Sequence, residues 1–234
     1  MKKILVINPI GTDIWDLSDK EYLSDNAHNS TVVSVTSLKK GPTSLETYYD
    51  EAMAAPGVLE IIHKNKDDYD AFIVNCFADP GIMGAREIAN VPVVGPGQAS
   101  MTVASMLGHK FGVISIRKKA ESMFDQKVAS LGLEDKFAGA VGINIGVNEL
   151  LTDRDATRRE ILKAANKLIE EKHAEVIVLG CTGMLSFAED IRKELRVPVV
   201  EPAITALKIA EALIDLKLTH SKTALYSNLE DCRQ

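Results

Sequence analysis

Two cysteines, Cys76 and Cys181, stand at matching places in the two halves of this 234-residue chain. Around the first the sequence reads AFIVNCFADPG, then REIANVPVVGPGQASMTVASML; around the second, EVIVLGCTGM, then RKELRVPVVEPAITALKIAEALI. Each is an apolar run ending at a cysteine, a helical pattern, the tetrapeptide Val-Pro-Val-Val, a Pro-containing turn and a second apolar helix. From Cys76 to Pro92 is 92 − 76 = 16 positions, and from Cys181 to Pro198 is 198 − 181 = 17. A single cysteine after an apolar strand reads as a small buried hydrophobe. One that recurs in a duplicated unit, followed each time by small turn residues, reads as chemistry. A thiol titrates near about pH 8.5 and is tuned downward by its surroundings, so it serves as acid or base near neutrality. Two thiols on opposite faces of one carbon acid suit inversion. One removes the proton as thiolate, the other returns a proton to the far face, and the roles exchange for the mirror-image substrate.

Other constellations are weaker. None of His28, His63, His109, His173 and His220 ends an expected strand, so each reads as a surface or core residue. No CxxC or HxxxH spacing suggests zinc. The stretch Gly95-Pro-Gly-Gln-Ala-Ser100 is a truncated GxGxxG with Pro96 inside and no third glycine. It reads as a turn into a helix that lines an anion pocket. Asp13, Asp16, Asp19 and Glu21 read as a solvated loop, and Cys232 as a surface residue.

The elements that must position the cysteines alternate along the chain. Apolar, β-branched runs at Lys3–Asn8, Thr31–Ser37, Ala71–Cys76, Val91–Gly95, Phe111–Ile116, Ala140–Ile145, Glu175–Gly180 and Val197–Glu201 read as buried strands. Helical patterns fall at Ser44–Lys64, Gly81–Ile88, Gln98–Leu107, Ala120–Leu131, Asp155–His173, Ser186–Leu195 and Ile204–Leu216. In Asp155–His173 the residues Ile161, Leu162, Ala165, Leu168 and Ile169 form one apolar stripe. The alternation predicts an α/β fold of mainly parallel sheets flanked by helices. The duplication predicts two pseudo-symmetric lobes. Ligands of open α/β sheets bind beyond the carboxyl ends of the strands, where both cysteines lie, so the active site is expected in a cleft between the lobes.

Composition narrows the function. With 46% hydrophobic and 26% charged residues the chain is that of an ordinary globular protein. A net charge of −6 and 5% aromatics disfavour a nucleic-acid partner. No run is long enough to span a membrane, and the apolar stretch Ile4–Ile7 is too short for a signal-peptide core. Three cysteines without close spacing make no disulfide framework. A cytoplasmic protein is expected.

Cys76-Phe-Ala-Asp-Pro-Gly81, Gly180-Cys-Thr-Gly-Met184, Gly41-Pro-Thr-Ser-Leu-Glu46 with Tyr49-Asp50-Glu51-Ala52, and the tail Thr219 to Tyr226 together resemble the hydantoin racemase branch of the aspartate/glutamate/hydantoin racemases, which includes allantoin racemases. The resemblance covers nearly the whole chain. It implies cofactor-independent racemisation of a small cyclic ureide, a 5-monosubstituted hydantoin or allantoin, by a homo-oligomeric cytoplasmic enzyme. Cys76 and Cys181 correspond to its catalytic pair, with Asn8, Ser44, Phe77, Gly180 and Thr182 as substrate-binding positions. No metal is implied. It also implies lobes of residues 1–96 plus 204–234 and 97–203, the last helix crossing back to the first lobe. The sequence departs from the family at Ile10-Gly11-Thr12, at Gln98 and at Thr182, which is more like the amino-acid racemases. An aspartate/glutamate-type racemase, a related cysteine-dependent isomerase or decarboxylase, and a non-catalytic binding module are the alternatives.

Overall fold

Parallel strands buried on both faces carry near-continuous apolar runs, and the chain folds accordingly. The computed structural model describes residues 1–227, so Cys232 lies outside the described residues. The first half runs β1 (Lys2–Asn8), α1 (Asp16–Asn26), β2 (Thr31–Ser37), α2 (Tyr48–Asn65), β3 (Ala71–Val74), α3 (Ile82–Ile88) and β4 (Val93–Val94). The second runs α4 (Pro96–Leu107), β5 (Phe111–Ser115), α5 (Ala120–Ser130), β6 (Phe137–Gly142), α6 (Arg154–Lys172), β7 (Val176–Leu179), α7 (Ala188–Glu194), β8 (Val199–Val200) and α8 (Pro202–Asp215). Two four-stranded sheets result, in the orders β2-β1-β3-β4 and β6-β5-β7-β8, with every pairing parallel. The chain divides into two compact units, Met1–Pro96 with the segment from Ala206 onward, and Gly97–Thr205.

The duplication extends to single hydrogen bonds. In the first unit Phe72 N–H donates to Pro92 O at 2.9 Å and Asn75 N–H to Ile7 O at 2.8 Å. In the second, Ile177 N–H donates to Pro198 O at 2.9 Å and Gly180 N–H to Ile114 O at 2.7 Å. Arg86 Nε donates to Val93 O at 3.2 Å, and Arg192 Nε to Val199 O at 3.1 Å. The Val-Pro-Val-Val repeat is thus a short edge strand anchored by an arginine from the preceding helix. Each unit has its own core, built on Leu5, Ile7, Val58 and Phe72 in one and on Ile114, Ile161, Leu168 and Phe187 in the other.

Three expectations are corrected. Of the acidic residues after β1, Asp13 lies in an exposed loop as expected, but Asp16, Asp19 and Glu21 belong to helix α1, and Asp19 is buried. β6 begins at Phe137 rather than Ala140, because Gly139, at φ +131°, lets the strand shift register against β5 between Phe111 and Gly112. The pattern expected at Ser186–Leu195 starts earlier and divides into a 3-10 turn, Thr182–Phe187, and α7.

The tail seals the β4 edge of the first unit. His220 Nε2 accepts Val93 N–H at 2.9 Å, and Lys222 Nζ donates to Arg86 O at 2.6 Å and Glu87 O at 3.1 Å, at the end of α3. Arg86 donates to Tyr226 OH at 3.2 Å and lies over its ring. Burial, aided by the Arg86 charge, pushes the His220 pKa down to about 4, so the ring is a neutral acceptor at pH 7.

Candidate active site

Every sequence-predicted residue falls at or beyond the carboxyl end of a strand. Asn8 is the last residue of β1, Ser44 lies in the loop after β2, and Cys76 and Phe77 follow β3. Gly180, Cys181 and Thr182 follow β7. The first unit brings the loops of Asn8 and Ser44 side by side: Leu38 N–H donates to Ile10 O at 2.9 Å, and Gly11 N–H to Pro42 O at 2.9 Å. Ser44 Oγ reaches Glu46 at 3.4 Å, and Thr47 caps α2 by accepting Asp50 N–H at 3.2 Å.

Cys76 is half-buried and sits in a tight turn. Its N–H donates to Val74 O at 2.7 Å, and its carbonyl accepts Asp79 N–H at 2.9 Å. Asp79 (φ +55°) and Gly81 (φ +71°) then fold the chain into α3, so that helix starts six residues after the cysteine rather than directly behind it. Phe77 is buried beside it. The turn after β4 leads into α4, but the expected anion pocket there faces a buried carboxyl: a Cβ on Gly95 would lie 2.4 Å from Asp79 Oδ1.

Cys181 is buried and begins the 3-10 turn, its carbonyl accepting Met184 N–H at 3.0 Å. Gly180 is there for close approach, since a Cβ would stand 2.6 Å from Ile114 O. Its N–H is committed to that same carbonyl. Thr182 is half-buried at the start of the turn. A Cβ on Gly183 would lie 3.5 Å from Cys181 Sγ, so glycine at that position presents no side chain to the thiol.

Sequence reasoning missed a polar cluster under the β1, β2 and β3 ends. Asn8 Nδ2 donates to Asp16 Oδ1 at 3.0 Å, and Ser37 Oγ donates to the same oxygen at 2.6 Å. Asn75, the residue before Cys76, donates through Nδ2 to Asn8 Oδ1 at 2.8 Å and to Asp19 Oδ2 at 3.3 Å. Burial, with a contribution from the Asp16 charge, raises the Asp19 pKa to about 6 against the opposing hydrogen bonds from Asn8 and Asn75. Among the described residues no group of three or more His, Cys, Asp or Glu side chains is placed to hold a metal ion. A groove of about 650 Å³ between β2 and α2, lined by Thr36, Lys39, Lys40, Met53 and Tyr69 among others, contains none of the predicted site residues.

The family model described as Asp/Glu/Hydantoin racemase matches residues 4–210. The chain belongs to that family. It is 36% identical to hydantoin racemase of Pseudomonas sp. (strain NS671) over 225 residues, covering 96% of this chain and 90% of that protein. It is 34% identical to hydantoin racemase of Rhizobium meliloti, covering 96% and 93%. Its fold is similar to that of allantoin racemase from Pseudomonas fluorescens, with a TM-score of 0.92 at 30% identity over 97% of this chain and 96% of that one. Family membership makes the protein an isomerase of the racemase type. No described helix is long and apolar enough to cross a membrane.

Proposed function

We propose that this protein racemises a 5-monosubstituted hydantoin or allantoin by moving a proton between Cys76 and Cys181 through the ring carbon. The observation that carries the reading is the equivalence of the two thiols. Each lies one residue beyond a ladder bond, Asn75 to Ile7 in one sheet and Gly180 to Ile114 in the other. The substrate chemistry fits. The ring C–H lies between a carbonyl and a ring nitrogen, so its electron pair passes onto the carbonyl oxygen as an enolate, and a thiolate suffices as base. One cysteine takes the proton on sulfur; the other thiol delivers its own proton to the opposite face. Ser44 and Thr182 supply polar contacts to the ring amides, and backbone donors near Phe77 and Thr182 stabilise the enolate oxygen. The buried Asn8 carboxamide, expected to join them, is committed to Asn75 and Asp16 and supports the site from beneath. The Gly180 N–H, committed to Ile114, supports the turn instead. The family resemblance supports a cytoplasmic homo-oligomer, which light scattering on the purified protein tests.

The test is loss of optical rotation from enantiopure hydantoins, allantoin, aspartate and glutamate, without added cofactor and after chelation. Rotation should decay with a cyclic ureide and persist with the amino acids. Cys76→Ser and Cys181→Ser should each fold yet nearly abolish inversion. In deuterated water each should still exchange the ring C–H of one enantiomer, a different one for each variant. Full racemisation by either serine variant refutes the two-thiol reading.

A further inference from the structure

The two thiols are equivalent in the sheets but not in what holds them. At Gly180 the chain packs closely on β5: its N–H bonds Ile114 O, and a Cβ there would stand 2.6 Å from that oxygen. At the matching place before Cys76 stands Asn75, whose carboxamide reaches sideways across the sheet to Asn8 on β1 and Asp19 on α1. Asn8 is in turn held by Asp16, and Asp16 by Ser37 on β2. Within the turn, Cys76 N–H bonds back to Val74 O and Asp79 N–H to Cys76 O, while Asn75 N–H joins the turn to Ile7 O of β1. The Asn75 side chain adds a lateral tie from that turn to both β1 and α1. Asn8, Asn75 and Asp19 are 4%, 6% and 8% exposed, so these bonds form away from water, where their loss is costly. In the second unit the positions matching Asn8 and Asn75 by strand register are Ser115 and Gly180, which carry no amide and no charge.

We propose that Asp19 is a positioning residue for Cys76: acting through the Asn75 carboxamide, it fixes the turn that carries this thiol and has no counterpart effect on Cys181. The inference rests on the reading of Cys76 as a proton-transfer group, but the thiol itself reports on it without any substrate. A carboxylate buried on the inner face of a mainly polar helix is expensive to keep where an apolar residue would pack. Clamping a reactive turn accounts for its place.

The experiment measures alkylation of the intact protein by iodoacetamide, with the Cys76 and Cys181 peptides resolved by mass spectrometry, beside steady-state racemisation. Asp19→Leu removes the acceptor and Asn75→Ala removes the link. Each should change the Cys76 alkylation rate severalfold while Cys181, in the same molecule, keeps its wild-type rate. Turnover should fall about 10- to 100-fold, the scale of a misplaced catalytic group, with KM within about threefold of wild type. Asp19→Asn still offers an oxygen to Asn75 and should restore most of the Cys76 rate and of turnover. If Asp19→Leu fails to fold, Asn75→Ala carries the test. An unchanged Cys76 rate in the folded variants overturns the proposal. So do parallel changes at both cysteines, or an Asp19→Asn variant as impaired as Asp19→Leu. Wild-type protein that racemises no hydantoin overturns the proposed activity alone, since the alkylation comparison still decides the role of Asp19.

Discussion

Asp19 also sets a thermodynamic prediction. It is 8% exposed on the inner face of α1, and its pKa rises from 3.8 to about 6 because burial disfavours the anion more than the Asn8 and Asn75 hydrogen bonds favour it. The folded chain therefore holds this proton more tightly than the unfolded chain. The contribution to stability is complete below pH 3.8 and is lost as pH rises through about 6. A shift of two units corresponds to about 3 kcal/mol. Replacing Asp19 by Asn removes the titration. The stability difference between Asp19→Asn and wild type should then grow by about 2–3 kcal/mol from acid to neutral pH. At neutral pH the variant should be the more stable by about 1–2 kcal/mol, after allowance for exchanging a charge-assisted hydrogen bond for a neutral one. The assay is equilibrium urea unfolding of both proteins by circular dichroism at a series of pH values, read as the difference between them. Parallel stability curves across the whole range would refute the reasoning, because they would mean that Asp19 titrates alike in the folded and unfolded chains.

His220 predicts the opposite slope: its folded pKa of about 4 lies below the ordinary 6.5, so its contribution is full above pH 6.5 and lost as pH falls toward 4. Because the ring is half-exposed, solvent screening cuts the effect to about 1–2 kcal/mol, and His220→Phe should flatten that part of the pH–stability curve; an unaltered curve would contradict it. Gly95→Ala places a methyl group 2.4 Å from the Asp79 carboxyl, and should cost about 1–3 kcal/mol of overpacking. Adding Asp79→Gly, which suits the φ of +55° and removes the whole side chain facing the methyl, should recover part of the melting temperature, and failure to do so would show that the clash lies elsewhere.

The sheets were legible in the sequence because parallel strands must be apolar throughout, and the register of the two halves was legible because Val-Pro-Val-Val recurs at a fixed distance from each cysteine. The stripe of α6 was legible too, and Ile161, Ala165 and Leu168 are buried. Strand ends were not. Ala71–Cys76 reads as one apolar run, yet β3 stops at Val74: Asn75 N–H still bonds Ile7 O, but Cys76 N–H turns back to Val74 O instead of reaching the next strand. α1 was invisible for a related reason. In DLSDKEYLSDN the residues facing inward are Asp19 and Leu23, so the buried face carries a carboxylate and no apolar stripe. Its stability comes from partners on other strands, Asn8, Ser37 and Asn75, which no local pattern announces. The placing of both cysteines just beyond strand ends could be read from the repeat; the cluster behind Cys76 could not, because only one half has it.

That one-sided cluster bears on the kinetics in a way that symmetry alone would hide. Two enantiomers in achiral solution have equal free energies, so a racemase must show the same kcat/KM in both directions, whatever its active site looks like. A difference between the support of Cys76, clamped by Asn75 and Asp19, and that of Cys181, packed against Ile114, cannot bias the outcome. It can only redistribute each direction's efficiency between kcat and KM. A variant that loosens the Cys76 turn alone should therefore lower kcat/KM equally for both enantiomers, while moving kcat and KM by different amounts in the two directions. In the proposed reaction, the duplicated framework supplies the two thiols for one carbon. The unduplicated polar cluster explains why they need not serve it alike.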